Sequence, residues 1–357
     1  MGIPPIISKR QVHSANSLFL ARKKRKCLII AEVAQAHDGS LGMAHAFIDA
    51  VAKTGASGIK FQTHIANEES TIEEPWRIKF SLQDETRYDY WKRMEFTEPQ
   101  WLGLMEHATE SGLLFLSSPF SIKAFEMLSR VGVAAWKIAS GEIDNEPLIQ
   151  RMVESGLPLI LSTGMSSLEE IDNIVNKILC CQKDLTILQC TSEYPCNPES
   201  WGLNMLSTFR SHYGCCVGFS DHSGDIFAGL AAAVLGAEMI EVHITFSKDM
   251  FGPDAPASIT PAELQKLVQG VAEIERAIGN PVEKSKMASK LSQTRAIFSK
   301  SVVTALDLRK GTVLNYSNLA LKKPGIGLSP RCFSELIGKK LTRDLSKDSF
   351  ISESDFE

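Results

Sequence analysis

Residues 216–243 read CVGFSDHSGDIFAGLAAAVLGAEMIEVH, and this stretch shows the unit from which most of the chain is built. A short apolar run, Cys216–Phe219, leads through a polar loop into an Ala- and Leu-rich stretch at 223–236, which is typical of a helix. Gly236 stands where a glycine commonly ends a helix, and a second apolar run, Met239–His243, follows it. The stretch therefore predicts a strand, a helix and a strand in succession.

The same unit recurs from residue 27 to about residue 278. Helices are predicted at Leu41–Gly55, Thr97–Gly112 and Ser121–Gly132 as well as at 223–236. Strand and helix that alternate eight times over about 250 residues predict an α/β protein with a (β/α)8 TIM barrel. An open doubly wound sheet is the alternative, although no GxGxxG motif follows the first run. The eight predicted strands are Cys27–Val33, Gly58–Gln62, Leu113–Ser117, Ala135–Ile138, Leu159–Leu161, Thr186–Gln189, Cys216–Phe219 and Met239–His243.

The character of the sequence changes after Gly279-Asn280-Pro281. Short β-like runs at Ser301–Ala305 and Leu319–Lys322 predict a small, mostly β domain, which at about 60 residues should depend on contacts outside itself. A Lys- and Ser-rich linker is predicted before it. The predicted divisions are an N-terminal extension, the barrel, the linker and the small domain, at 1–26, 27–280, 281–294 and 295–357.

Composition excludes several functional classes. The net charge of −4 over 357 residues argues against a nucleic-acid partner, which normally meets a basic excess. The most apolar stretch, Gly229–Ile240, is too short to cross a membrane and contains Glu238. The basic run at 22–26 precedes only five apolar residues, fewer than a signal peptide needs. None of the eight cysteines forms a CxxC pair, so we expect reduced thiols in a cytoplasmic protein.

Polar residues collect at the ends of the predicted strands, which is where a barrel carries its function. Lys60 and Lys137, beside loops rich in Ser, Thr and Gly, suit a phosphate or a carboxylate. His222 and His243, on neighbouring strands, would share a divalent metal, or else they are hydrogen-bonded core histidines. Asp254, in the loop after the eighth strand, is within reach of the same mouth.

The motifs at these strand ends resemble those of the N-acetylneuraminate (sialic acid) synthase family and its relatives that make other nonulosonic acids. The C-terminal KKPGIG at 322–327 resembles the antifreeze-like (SAF, β-clip) domain of the same family. The resemblance extends over residues 27–357. The barrel motifs that carry it are IAEVAQAHDGSL at 30–41, GIKFQTHI at 58–65, FLSSPFS at 115–121, KIASGE at 137–142, LSTGMSS at 161–167, CTSEYPC at 190–196, GFSDHSG at 218–224, EVHIT at 241–245 and GPD at 252–254.

The resemblance implies an enzyme that condenses phosphoenolpyruvate with an N-acetylated hexosamine and releases phosphate, with Mn²⁺ or Mg²⁺ required. It implies that His222 and His243 ligate the metal, with Glu241 close by. Phosphoenolpyruvate would be held by Lys60, Lys137, Ser140, Ser162 and Ser220. The part of the site that holds the sugar and the reaction centre would be lined by Glu32, Gln62, Glu142, Tyr194 and Asp254. Glu32, Glu142, Lys60 and Lys137 are the predicted catalytic residues, and Glu32 and Glu142 remain alternatives as general base.

The C-terminal motif departs from the family at Lys323, where bacterial sialic acid synthases commonly have an arginine before Pro-Gly. In the family, two chains pair and each antifreeze-like domain caps the active site of the other, where that arginine reaches the N-acyl group of the substrate. The resemblance therefore implies a domain-swapped homodimer in which Lys323 contacts the sugar, with a changed sugar preference because lysine lacks the planar guanidinium. The alternatives are a solvated turn lysine, another aldehyde- or phosphoenolpyruvate-using barrel enzyme, and a non-catalytic binding protein.

Overall fold

The computed structural model describes residues 27–181 and 184–357. The predicted extension at residues 1–26 therefore lies outside the described residues. The chain divides into two compact units after Gly279, and each is described by itself.

The first unit is a closed barrel of eight parallel strands that neighbour one another in chain order. This confirms the predicted (β/α)8 TIM barrel and excludes the open sheet. The strands are Leu28–Ala34 (β1), Gly58–Thr63 (β2), Leu114–Pro119 (β3), Trp136–Ile138 (β4), Leu159–Ser162 (β5), Leu185–Gln189 (β6), Cys216–Asp221 (β7) and Met239–His243 (β8).

Helices surround the strands. Where glycine ends the first of them, Gly55 adopts a left-handed backbone with φ of 80°, which a residue without a Cβ tolerates. The helices of this unit are Leu41–Thr54 (α1), Ala66–Glu69 (α2), Arg87–Met94 (α3), Glu98–Glu110 (α4), Ile122–Val131 (α5), Glu146–Glu154 (α6), Leu168–Cys181 (α7), Met205–Tyr213 (α8), Phe227–Val234 (α9) and Pro261–Gly279 (α10).

The alternation of side chains along each strand decides which residues point into the barrel. In β1, Leu28 and Ile30 belong to a small core cluster inside the barrel, whereas Ile29 and Ala31 belong to the large cluster that includes helix residues. Glu32 continues the inward series of β1. By the same alternation, inward-facing positions in β2 and β8 include Lys60, Gln62, Glu241 and His243, because Ile59 and Ile240 face the helices.

The second unit begins with two short helices, Lys284–Lys290 (α11) and Ser292–Phe298 (α12). Helix α11 and the start of α12 fall in the predicted linker at 281–294, and α12 continues into the predicted small domain. The antiparallel strands Ser301–Thr304 (β9) and Leu319–Lys322 (β10) follow, close to the predicted runs, and Phe333–Leu336 (α13) is the last helix. Their core is formed by the apolar residues Val302, Leu308, Leu314, Leu319, Leu336, Leu341, Leu345 and Ile351.

Within the described residues no disulfide joins any two of the eight cysteines. The helices of the described residues are all too short or too polar to span a lipid bilayer.

Candidate active site

A cavity of about 470 Å³ opens among the residues at the carboxyl ends of the barrel strands. All the predicted site residues of the barrel line it. The predicted catalytic residues are Glu32, Lys60, Lys137 and Glu142; the predicted binding residues are Gln62, Ser140, Ser162, Tyr194, Ser220 and Asp254; the predicted metal ligands are His222 and His243.

Two lysines and two glutamates form the deep end of the cavity. The Nζ of Lys60 contacts the Glu32 carboxylate and lies 3.6 Å from Oε1 of Glu241. The Nζ of Lys137 lies 3.2 Å from the same Glu241 oxygen. Each of the four side chains is 5% exposed or less. Because two positive charges meet two negative charges, this group is electrically neutral, and its members share one buried network.

The same charges determine the pKa values at the deep end. Burial lowers the pKa of Lys60, and the Glu241 carboxylate opposes that shift. Burial opposes ionisation of Glu241, but Lys137 and Lys60 outweigh it and hold the pKa of Glu241 below its ordinary value. Glu241 is thus an anion that holds both lysines in place.

The backbone at the end of β1 fixes the direction of Glu32. The register between β1 and β2 shifts after Glu32, and Ala34 has a left-handed φ of 47°. The backbone N–H of Ala34 donates to Oε1 of Glu32 at 2.8 Å. The irregular strand end therefore holds the carboxylate towards Lys60.

Serine hydroxyls and a close backbone turn adjoin the lysines. The hydroxyl of Ser220 donates to Oε1 of Glu241 at 3.2 Å, and the backbone N–H of Gly164 donates to Oγ of Ser140 at 3.0 Å. Oγ of Ser162 is buried and has no hydrogen-bond partner in the described part of the chain. A buried hydroxyl of this kind, in the same cavity as the two lysines, fits an anionic ligand that accepts its hydrogen bond.

His222 and His243 lie side by side, with ring centroids 5.2 Å apart. Burial lowers the pKa of both imidazoles to about 3, so both rings are neutral. Nδ1–H of His222 donates to the carbonyl of Thr191 at 2.8 Å, which leaves the lone pair on Nε2. The hydroxyl of Tyr194 lies 3.0 Å from that nitrogen.

These donors fit a divalent ion that accepts nitrogen and oxygen ligands. A carboxylate oxygen of Asp254 lies 3.9 Å from Nδ1 of His243, at the same edge of the cavity. No group of three or more His, Cys, Asp or Glu side chains is arranged as a metal site within the residues that the structure describes. The two imidazoles would therefore need ligands from substrate or water to complete a shell.

The other predicted residues lie on the walls. Oε2 of Glu142 accepts from Nδ2 of Asn145 at 2.7 Å, and burial raises the pKa of Glu142. Oε1 of Gln62 accepts from the side-chain amide of Gln35. The Tyr194 ring stacks on His222 with centroids 4.1 Å apart.

Lys323 is the one predicted site residue that does not line the cavity. It lies in the second unit, directly after β10, and its Nζ is 5.3 Å from the centroid of the Phe298 ring.

Residues 64–97, which connect β2 to α4 and are here called the mouth segment, supply much of the cavity wall that the sequence did not predict. Arg77 donates to Oδ1 of Asp254 at 3.0 Å and lies 4.6 Å from the Tyr194 ring centroid. His64 stacks on Trp91 with centroids 4.1 Å apart. The one available signal was length, since connections of more than about 15 residues are usually functional.

Two known family descriptions match the chain, each mainly in one of its two units. The NeuB family matches residues 47–283, and the SAF domain matches residues 299–357. The chain is 34% identical to the N,N'-diacetyllegionaminic acid synthase of Campylobacter jejuni over 337 residues, which cover 92% of this chain and 100% of that protein. It is 32% identical to the human N-acetylneuraminate-9-phosphate synthase over 333 residues, 92% of this chain and 92% of the human protein.

A solved structure agrees. The N-acetylneuraminic acid synthetase of Leptospira borgpetersenii, crystallised with citrate, superposes with a TM-score of 0.66 at 32% identity, over 76% of this chain and 92% of that one. The fold, the site residues and the similar proteins agree with one another. This chain is a synthase and belongs to the NeuB family.

Proposed function

We propose that the protein condenses phosphoenolpyruvate with an N-acylated hexosamine to give a nine-carbon 2-keto acid and inorganic phosphate. The observation that carries the proposal is the pair of buried lysines beside two neutral imidazoles at the deep end of the cavity, in a NeuB-family barrel. The matching relatives are named for sialic and legionaminic acid products, which belong to this class of acid.

In the proposed reaction, C3 of phosphoenolpyruvate forms a bond to the aldehyde carbon of the open-chain sugar. Water adds at C2, and phosphate leaves with cleavage of the C–O bond. Lys60, Lys137 and the hydroxyls of Ser140, Ser162 and Ser220 hold the donor and stabilise the charge that develops on it.

Glu142 is the general base that we propose for the water. It makes no ion pair within the described residues, and burial raises the pKa of its carboxyl, which suits a group that takes up a proton. Glu32 has the Lys60 ammonium as its partner instead and orients that lysine.

We also propose that His222 and His243 hold a divalent ion, Mn²⁺ or Mg²⁺. The chemistry that such an ion supplies is polarisation of the aldehyde oxygen. The neutral charge of the deep lysine–glutamate group supports the proposal, because phosphoenolpyruvate brings about three negative charges to it.

The direct test of the function is an assay of phosphate release from phosphoenolpyruvate, with a panel of N-acylated hexosamines as acceptors and mass spectrometry of the acid product. Phosphate release that depends on the sugar supports the proposal. If no hexosamine of the panel leads to consumption of phosphoenolpyruvate, the proposal is contradicted.

Gly164 provides a test of the donor site. A Cβ at this position would collide with the side chains of Ser140, Cys190 and Ser192. Gly164→Ala should therefore displace the Ser140 hydroxyl, which is proposed to bind the donor, and raise the KM for phosphoenolpyruvate at least about tenfold. Gly141→Ala is the matched control, because its Cβ would meet only the end of Met165, at 3.8 Å. An unchanged KM in Gly164→Ala would show that the turn at Gly164 does not help to bind phosphoenolpyruvate.

A homodimer with shared active sites is the proposed assembly, in which Lys323 of one chain contacts the acyl group of the sugar bound by the other. Mixing Lys323→Ala with His222→Ala protein should then restore activity, to about a quarter of the wild-type value after random exchange, because each mixed dimer carries one intact site. Both parents should be clearly defective. Mixed dimers without regained activity would show that the sites are not shared.

A further inference from the structure

A histidine that the proposed reaction does not use lies in the cavity wall. His64 directly follows β2, lines the cavity and has a side chain that is 4% exposed. Its ring stacks on both Trp91 and Phe120, with centroids 4.1 and 4.5 Å away and interplanar angles of 19° and 12°. Two nearly parallel aromatic neighbours hold the ring in one plane, so its two nitrogen atoms point in fixed directions.

Glu69 determines which of these nitrogens carries the proton. Oε1 of Glu69 lies 2.5 Å from Nδ1 of His64, and Oε2 accepts from the backbone N–H of Ile65 at 3.3 Å. A carboxylate only accepts hydrogen bonds, so Nδ1–H of the imidazole donates to it. The Glu69 side chain is 8% exposed, and water therefore competes little for this contact. In a ring with one proton, Nε2 is then left with a lone pair.

Two glutamine amides continue this chain of hydrogen bonds. The amide nitrogen of Gln35 lies 2.9 Å from Nε2 of His64 and also donates to Oε1 of Gln62. An amide nitrogen only donates, which is a second, independent reason to place the lone pair of His64 on Nε2. Gln62 lines the cavity with its oxygen engaged in this way, and its own amide nitrogen has no hydrogen-bond partner within residues 27–181 and 184–357.

We infer that His64 is a positioning residue, which Glu69 holds in the tautomer that makes Gln62 present its N–H groups, and not its carbonyl, to an oxygen of the bound hexosamine. The opposite direction of the chain would require both amides to turn and a proton on Nε2 of His64. This inference rests on the proposed function for the identity of the substrate. The direction of the hydrogen bonds is a property of the protein alone.

Two substitutions separate this role from packing. His64→Phe keeps an aromatic ring against Trp91 and Phe120 but removes the acceptor of the Gln35 hydrogen bond, whereas His64→Gln loses the stacked ring and retains an acceptor oxygen. We expect the KM for the hexosamine to rise at least about tenfold in His64→Phe and about threefold or less in His64→Gln. The KM for phosphoenolpyruvate should stay within about twofold in both. Equal effects, or the reverse order, would overturn the inference.

A double-mutant cycle tests whether His64 acts through Gln62. In a Gln62→Met background, His64→Phe should raise the KM for the hexosamine by less than about twofold, because the amide that it directs is already absent. A full tenfold rise in that background would contradict the assignment. His107→Phe is the matched control and should leave both KM values unchanged, since His107 also pairs with a carboxylate, Asp49 at 3.0 Å, but does not line the cavity.

Nitrogen-15 NMR of the whole protein without substrate measures the direction of the chain directly. At neutral pH, the His64 signals, assigned by their loss in His64→Phe, should be those of an imidazole with its single proton on Nδ1. A proton on Nε2, alone or together with one on Nδ1, would overturn the inference and leave the proposed function standing. A lack of phosphate release with every hexosamine would instead overturn the proposed function, and with it the role of Gln62 towards the sugar.

Discussion

Protein stripped of divalent ions should release phosphate from phosphoenolpyruvate at least about 1,000-fold more slowly, and Mn²⁺ or Mg²⁺ should restore the rate. The physical reason is the charge balance at the deep end of the cavity. Two lysines face two glutamates there, so the site has no net positive charge with which to bind a donor of about three negative charges. His222 and His243 are neutral and add none.

The measurement is phosphate release before and after treatment with a chelator, together with calorimetric titration of Mn²⁺ into the protein. His222→Ala and His243→Ala should each weaken Mn²⁺ binding at least about 100-fold. His212→Ala is the matched control, because His212 is an exposed histidine that pairs with Asp172 and does not line the cavity. Full turnover by protein shown to be free of metal would contradict the prediction.

Lys137→Met should lower kcat/KM for phosphoenolpyruvate at least about 100-fold, since a charge-assisted contact to the donor is lost and one buried anion is left in excess. The same excess should cost up to about 3 kcal/mol of the free energy of unfolding. Steady-state kinetics and thermal unfolding measure the two effects. Lys177→Met, on the exposed pair with Glu146, should change neither.

A double variant separates the two consequences. Lys137→Met combined with Glu241→Gln removes one positive and one negative charge, so the deep group stays neutral and most of the lost stability should return. Activity should not return, because the donor still lacks its lysine. A double variant with wild-type kcat/KM would show that Lys137 serves the fold and not the donor.

The barrel could be predicted because its signals are local and repeated. Each strand is a short apolar run. The five residues of β8 show the pattern: Met239 faces the barrel core, and Glu241 and His243 lie on the same side of the strand, towards the cavity. Alternation along a strand therefore predicts which of its side chains share the face that lines the cavity. Because all eight strands end at the same rim, side chains from distant parts of the sequence meet there.

The mouth segment could not be predicted in the same way. Its helices α2 and α3 are short and lack a long apolar period, and its contacts join residues far apart in sequence, as Arg77 and Asp254 are. For a related reason the polar composition of residues 281–294 predicts a linker where the structure has α11 and the first residues of α12. Neither buries a residue, so the sequence carries no apolar stripe, although Lys, Ala and Met favour a helix.

The separation between strand ends and mouth segment has an evolutionary consequence. The groups proposed to hold the donor are distributed over several barrel strands, so a change at one of them disturbs a network to which several strands contribute. Much of the cavity wall outside the strand ends belongs to one continuous piece of chain, residues 64–97, between β2 and α4. Where its side chains face the cavity, such a piece can vary without a change in the strand-end residues. If the proposed function holds, a new sugar preference would need substitutions in one segment only, while the residues proposed for the chemistry stay the same.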